Sequence, residues 1–265
     1  ALRTYAGAKS SRLTQGFGNI QTSADSEISS SLRVLRARSR EVIRDAGYAK
    51  RAKALVVDNV IGAGIGMQAQ VKTTRGELNQ RINADIETVW EEWCKAKNCH
   101  TGGALHFHDI ERFIVGQWFE AGEVLIRKHY RAFGDSPVPF ALEVIEPERL
   151  LDEFQPAAVD PSAKVRLGVE MNSFFRPVAY WIRSIHPGDI QRNSWETDRI
   201  ERVPADQIIH IRMIERWPQT RGIPWLHTAL RKIYDMDGYT EAEITRARAE
   251  ANIIGALKTP RPYGD

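Results

Sequence analysis
Apolar positions in the first half of the chain recur every three or four residues. Ile28, Leu32, Leu35, Val42 and Ile43 trace one side of a helix predicted over about residues 27–45. Tyr48, Ala52, Leu55, Val56 and Val60 trace a second helix beyond an interruption at Gly47. It is expected to end at IGAGIG, residues 61–66, with a short strand near 67–71. Ile82, Ile86, Val89, Trp90 and Trp93 predict a third helix over roughly 76–97. Phe113, Ile114, Gln117 and Trp118 predict a fourth over 109–121, with Gly122 placed to end it.

Beyond Gly122 the period changes to two. EVLIRKHY (123–130) and FALEVIE (140–146) flank the turn FGDSPVP and predict a hairpin. VRLGVEM (165–171) and PVAYWIRSI (177–185) flank NSFFR and predict another. Residues 198–215 add a short strand, a Pro-Ala-Asp turn and a stronger strand. The expected fold is α+β: helices first, an antiparallel-rich centre, then a long helix. The pattern divides the chain into an extended arm (1–26), a helical part (27–122), a β-rich part (123–215), a joint with the long helix (216–258) and a tail (259–265).

The long helix is predicted over about 224–256, where Leu226, Leu230, Ile233, Ile244 and Ile254 form a thin seam interrupted by Asp237 and Thr240. At roughly 1.5 Å per residue it would be on the order of 50 Å long. A helix with so narrow an apolar stripe needs neighbours for stability, copies of itself among them. Before it stands RWPQTRGIPW. Trp217 and Trp225 are placed to anchor the two sides, Pro218 restrains the chain, Gly222 permits a sharp turn within the Thr220-Arg221-Gly222 stretch, and Pro224 suits the first helical position. The stretch reads as a structural joint.

Composition narrows the function classes. The chain has 265 residues, 42% hydrophobic and 27% charged, which is ordinary for a globular protein. Its net charge of +3 does not by itself mark a nucleic-acid binder. Two cysteines, Cys94 and Cys99, make no disulfide framework and suit a reducing interior. No basic segment followed by an apolar run opens the chain and no apolar stretch approaches membrane-spanning length, so neither a cleaved signal nor a membrane partner is expected.

Candidate chemistry is sparse. GAGIG (62–66) follows a helix and precedes a strand, the reverse of a dinucleotide-binding turn, and no Walker sequence occurs. Cys94, Cys99, His100, His106, His108 and Asp109 offer metal-ligand types without metal-ligand spacing, so surface or capping histidines are the leading reading over a zinc site. Glu143, Glu146, Glu148, Asp152 and Glu153 form an acidic stretch rather than a catalytic set. No catalytic residue, cofactor or metal is expected. Arg33, Arg36 and Arg40 share one face of the first helix, with Arg44 at the next turn. Such arginines suit either a neighbouring subunit or a phosphate backbone.

Several ordered blocks together resemble the portal proteins of tailed bacteriophages, in their lambda-like branch. They are SREVIRDAGYAKRAKALVVDNVIGAGI, WEEWC, FIVGQWFEAGEVLIRKHY, ALEVIEPERL, GVEMNSFFRPVAYWI, VPADQIIHI and RWPQTRGIPWLHTALRKI, spread over residues 35–258. Two details depart from the family pattern: SFFR stands where relatives often carry a glycine turn, and Pro218 replaces a glycine before Gln219. The resemblance implies a structural ring of about twelve copies at one capsid vertex. It implies partners in the packaging terminase, the major capsid protein, head-completion or tail-connector proteins, and double-stranded DNA bound without sequence specificity. It also implies location in the virion after assembly in the host cytoplasm, a wing-like region for the first helices and strands, and a longer whole protein whose C-terminal portion is absent here. ATP hydrolysis would belong to the motor partner. The alternatives are a different head-to-tail connector or scaffold, and a metal-dependent nucleic-acid-processing enzyme.

Overall fold
The computed structural model describes residues 21–152, 156–159, 161–189 and 197–252, together with Ala8, Arg12, Gly16 and Gly18. Helix α1 (Ala24–Asp45) opens where the Ser23 side chain accepts the Ser26 N–H, and Asp25 and Glu27 complement the dipole of its first turn. Ala46, extended at φ −94° and ψ 117°, separates α1 from α2 (Gly47–Ile61), so the break falls one residue before Gly47. Helix α3 (Gln80–Trp93), the single turn α4 (Ala96–Cys99) and α5 (Phe107–Ala121) follow. His106 and Asp109 form a capping box that starts α5, and Gly122, left-handed at φ 82°, ends it as its position suggested.

Among the described residues, seven strands form two antiparallel sheets. β1 (Glu123–His129) lies between β2 (Ala141–Ile145) and β7 (Ile208–Arg212). β3 (Lys164–Arg166), β4 (Val169–Met171), β5 (Pro177–Arg183) and β6 (Ile200–Pro204) form the second sheet in chain order. Alternation along β1 sorts the core into layers. Leu125 faces the second sheet with Ile145, Val169, Tyr180, Ile182 and Val203. Val124 and Ile126 face the helices, among Trp93, Cys99, Ile110 and Leu142. A further cluster joins Val42, Ile43, Ala49 and Phe119 to Leu230 at the start of α6 (Leu230–Ala251).

The α+β reading and the first hairpin stand; several boundaries move. No strand forms at 67–71. The Asn83 side chain accepts the Val71 N–H and donates to its carbonyl, and Glu87 accepts the Ala69 N–H, so side chains replace a pairing strand. The third helix is shorter than 76–97 because Asn79 caps it at one end and the Cys94 carbonyl receives the Phe107 N–H at the other. Residues 165–171 are two strands rather than one, since Leu167 and Gly168, at φ 48° and 85°, turn the chain back on itself. β6 and β7 part company at the Ala205–Gln207 turn and join different sheets.

The long helix starts later than expected, and residues 253–256 of its expected span lie outside the described residues. Residues 224–229 form turns closed by the Pro224 carbonyl, which accepts from both the backbone N–H and Nδ1 of His227, so Pro224 opens a turn rather than the helix. The described helix of 22 residues is about 33 Å long. The arm is helical in its last three residues, 24–26; most of residues 1–20, and all of the tail 259–265, lie outside the described residues.

Candidate functional site: a buried ionic joint
Four segments distant in sequence meet at the Glu123 carboxylate. Arg221 Nε donates to Oε1 at 2.7 Å, and the Gly222 N–H and His210 Nε2 approach Oε2 at 2.8 and 2.9 Å. Arg36 Nη2 also bonds Oε1. The Arg221 guanidinium is completed by the carbonyls of Leu167 and Pro147 at 2.9 and 2.8 Å. Arg36 Nε reaches the Ala121 carbonyl at 3.3 Å. Arg221 and Glu123 have no exposed surface.

The backbone makes this convergence possible. A Cβ at Gly222 would lie 2.1 Å from the Gly122 carbonyl oxygen, and one at Gly122 would lie 2.1 Å from the Ile223 backbone. Two segments of the chain cross there at a distance only glycine allows. The crossing is pinned on both sides. Met213 N–H donates to the Gly122 carbonyl at 2.9 Å, and Trp225 N–H to that of Phe119 at 3.1 Å. Asp25 near the start of α1 accepts both the N–H and the hydroxyl of Thr220 at 2.7 Å. The Gln219 amide holds the carbonyls of Met213 and Arg221 and accepts the N–H groups of Glu215 and Arg216.

Electrostatics favour the ionised carboxylate. Burial alone would raise the Glu123 carboxyl, but Arg221, Arg36 and His210 outweigh it and hold it well below the usual range. Burial pushes Arg36 down to about 10, with Glu123 opposing the shift. Burial likewise lowers His210, against the pull of Glu123 and with Arg212 and Arg221 nearby. The cluster is a neutral histidine, one carboxylate and two guanidiniums, and its hydrogen bonds leave the carboxylate well satisfied. Such a group fixes position; it offers no exposed reacting atom.

The predicted arginine face thus divides. Arg36 lies inside its own chain, so the DNA or neighbour contact expected of it is replaced by an intrachain one. Arg40 grips Glu148 with two bonds of 3.0 Å and also reaches Glu120 and Gln117. Arg33 pairs with Asp152, and Arg44 with its neighbour Asp45. Glu148 and Asp152 of the acidic stretch are therefore the counterions of this face. In the joint, Arg221, Gly222 and Pro224 flank the crossing, and Trp225 packs edge-on to Trp118 at 5.1 Å. Trp217, expected as the second anchor, is instead 63% exposed beyond the Trp217–Pro218 turn.

In the histidine group, the His106 and His108 rings stack at 5.5 Å. His106 caps α5, His108 pairs with Glu111, and the Cys94 and Cys99 thiols are pushed up to about 11 by burial. Among the described residues, no three His, Cys, Asp or Glu side chains are grouped to hold a metal ion, and no helix is long and apolar enough to cross a membrane.

Glu123 and His210 carried no weight as site residues in the sequence, where both read as ordinary strand positions. The signal was present in another form. Ala-Gly-Glu, Glu-Pro-Glu, Leu-Gly-Val-Glu, Ile-Ile-His and Arg-Gly-Ile-Pro are separate blocks in sequence, and Glu123, Pro147, Leu167, His210 and Arg221 bring all five to one centre.

The family described as phage portal protein, lambda family, matches residues 10–265. The probable portal protein of Halomonas phage phiHAP-1 is 30% identical over 269 aligned residues, covering 99% of this chain and 51% of that protein. The chain thus spans about half the length of the curated relative it matches. A solved structure, the neck of an empty GTA particle, aligns with 83% of this chain and 48% of its own at 14% identity and a TM-score of 0.42, too low to carry a fold argument. With the family match running through the joint and both sheets, the chain belongs to the lambda family of phage portal proteins.

Proposed function
We propose that this chain supplies a structural subunit of a portal ring of about twelve copies, through which double-stranded DNA enters the capsid and later leaves it. The family match over residues 10–265 carries this reading. The ring would sit at one capsid vertex of the virion, with assembly in the host cytoplasm. Its partners would be the packaging terminase, the major capsid protein and head-completion or tail-connector proteins. No catalysis is assigned to the chain; energy for DNA movement would come from the terminase.

The physical features support a mechanical role. Residues 27–215 form the wing-like part in this reading, and 216–258 lead toward the ring core. Of the 22 residues of α6 only Leu230 is buried, while Tyr234, Met236, Tyr239 and Ile244 are exposed. A helix so bare is suited to packing against its neighbours in a ring. The buried Glu123 centre holds the root of that helix to α1, α5 and both sheets, so that displacement of the helix is resisted by the whole body. DNA would be guided by its backbone without base reading. Of the arginine face, Arg33 and Arg44 keep side chains 55% and 72% exposed while paired with Asp152 and Asp45, and this exposed side would face a neighbour or DNA.

The test is localisation. A label on this protein should mark one vertex of each assembled head, and heads assembled without the protein should remain empty of DNA. Labels on many vertices, or normally filled heads in its absence, would refute the reading.

A further inference from the structure
The β4–β5 hairpin presents a side chain that its own fold does not need. Phe175 takes the left-handed conformation at φ 60°, which a bulky residue rarely adopts. It turns inward against the inter-sheet core, edge-on to Trp217 and beneath the Arg166 guanidinium. Asn172 Oδ1 fixes the turn by accepting the Phe174 and Arg176 N–H groups at 3.0 Å. The result is that Phe174 stands outward, 83% exposed. Arg166 and Arg216 nearby are matched by Asp25 and Glu27 of α1. Lys164 and Arg176 have no ion-pair partner among the described residues. The tip is an aromatic knob with spare positive charge. Aromatic side chains of this kind dominate the energetics of protein contacts.

A surface of opposite character lies on the other side of the chain. Helix α3 buries only Asn83 and Trp93. Its Ile82, Ile86 and Val89, spaced to share one face, are exposed together with Leu78 ahead of them. Residues 77–92 carry Glu77, Asp85, Glu87, Glu91 and Glu92 against Arg81 alone. Glu87 and Glu92 are engaged by Ala69 and Lys95, leaving Glu77, Asp85 and Glu91 without ion-pair partners among the described residues. The C-terminal end of α3 packs through Trp90 and Trp93 on the helical side of the first sheet, whereas the knob belongs to the second sheet, which covers the opposite side.

We propose that the Phe174 knob of one copy docks on the exposed apolar face of α3 in the next, with Lys164 and Arg176 facing its acidic side chains. An apolar knob with basic flanks fits an apolar face with acidic flanks. Two different surfaces on opposite layers of one chain make a head-to-tail contact, the kind that closes into a ring. DNA is a poor occupant for α3, whose carboxylates repel phosphate. The assignment rests on the ring reading above and adds the surfaces by which neighbours meet.

The test uses the full-length protein carrying Phe174→Cys and Ile86→Cys together, treated with a short bis-maleimide. Cys94 and Cys99 of this chain are buried and should not compete; the single variants control for any cysteine elsewhere in the longer protein. A ladder of covalently linked copies is expected on a denaturing gel, and neither single variant should give one. Phe174 is exposed, so Phe174→Ala should fold normally yet weaken association by about tenfold. Arg176→Asp should weaken it too, and Asp85→Arg in the same chain should restore it. Wild-type-sized rings with no ladder would overturn this contact while leaving the ring reading intact; so would α3 covered by a later segment of the same protein, or Phe174→Ala rings that lose only DNA. Subunits that remain monomers would overturn both.

Discussion
Arg221 and Glu123 stand 98 positions apart in the chain, and Arg221 Nε donates to Glu123 Oε1 at 2.7 Å with both side chains fully buried. The pair joins the turn before α6 to the first strand of the first sheet. Arg36 and His210 bring α1 and β7 to the same carboxylate. A centre of this kind costs desolvation to build and is strongly destabilising to break, because the surviving charges stay buried without their partner.

Glu123→Gln should therefore destabilise the chain by about 3–5 kcal/mol. Chemical denaturation of the variant measures this directly. A loss below about 1 kcal/mol, the scale of an exposed pair, would show that the centre is not what holds the joint.

The arginine face should rank by burial. Arg36→Met should be severe, since it leaves Glu123 with one guanidinium fewer. Arg33→Ala, whose side chain is 55% exposed, should cost no more than about 1 kcal/mol. Equal effects at the two positions in a thermal melt would contradict the structure.

The glycines offer a second ranking. Gly222→Ala forces a Cβ to 2.1 Å from the Gly122 carbonyl oxygen, in backbone that cannot yield cheaply, and should abolish the native joint. Gly238→Ala, in the interior of α6 with nothing within 4 Å, should instead stabilise the helix by roughly 0.5–1 kcal/mol. Circular dichroism and melting of the two proteins would separate them; indistinguishable behaviour would refute the close crossing.

Acid should weaken the fold in two windows. Burial lowers His210 below its ordinary value of 6.5, so the unfolded chain takes up its proton first. The His210 contribution is whole above that value and is lost as pH falls through it toward the folded value. Glu123 is also lowered, so its contribution is present above the ordinary carboxylate value of 4.5 and fades in stronger acid. The groups facing His210 are Glu123, Arg212, Arg221 and the Tyr180 ring, whose hydroxyl burial pushes up to about 12. His210→Gln should flatten stability between neutral pH and pH 5 relative to the wild type. An unchanged slope in denaturation midpoints across that range would assign the effect elsewhere.

Local signals were the legible ones. The helices of the first half, the turn at Gly122 and the first hairpin followed from periodicity and capping, because each depends on residues close in sequence. What escaped was set by distant partners. Asn83 and Glu87 replaced a strand by bonding the backbone of 69–71 through their side chains. Pro224 has the residue type of a helix start, yet His227 closes a turn on its carbonyl. The arginines of α1 looked like a surface because their helical spacing was visible and their counterions, Glu123, Glu148 and Asp152, were not adjacent. RWPQTRGIPW reads in sequence as a stretch anchored by two tryptophans, whereas its buried centre is Arg221 on Glu123 and Trp217 is exposed.

The central claim, a portal ring built from this chain, is tested most directly by the mass of the purified full-length protein in its native state. A closed assembly near twelve subunits, persisting on dilution, is the predicted result. A monomer at every concentration and salt condition would contradict it.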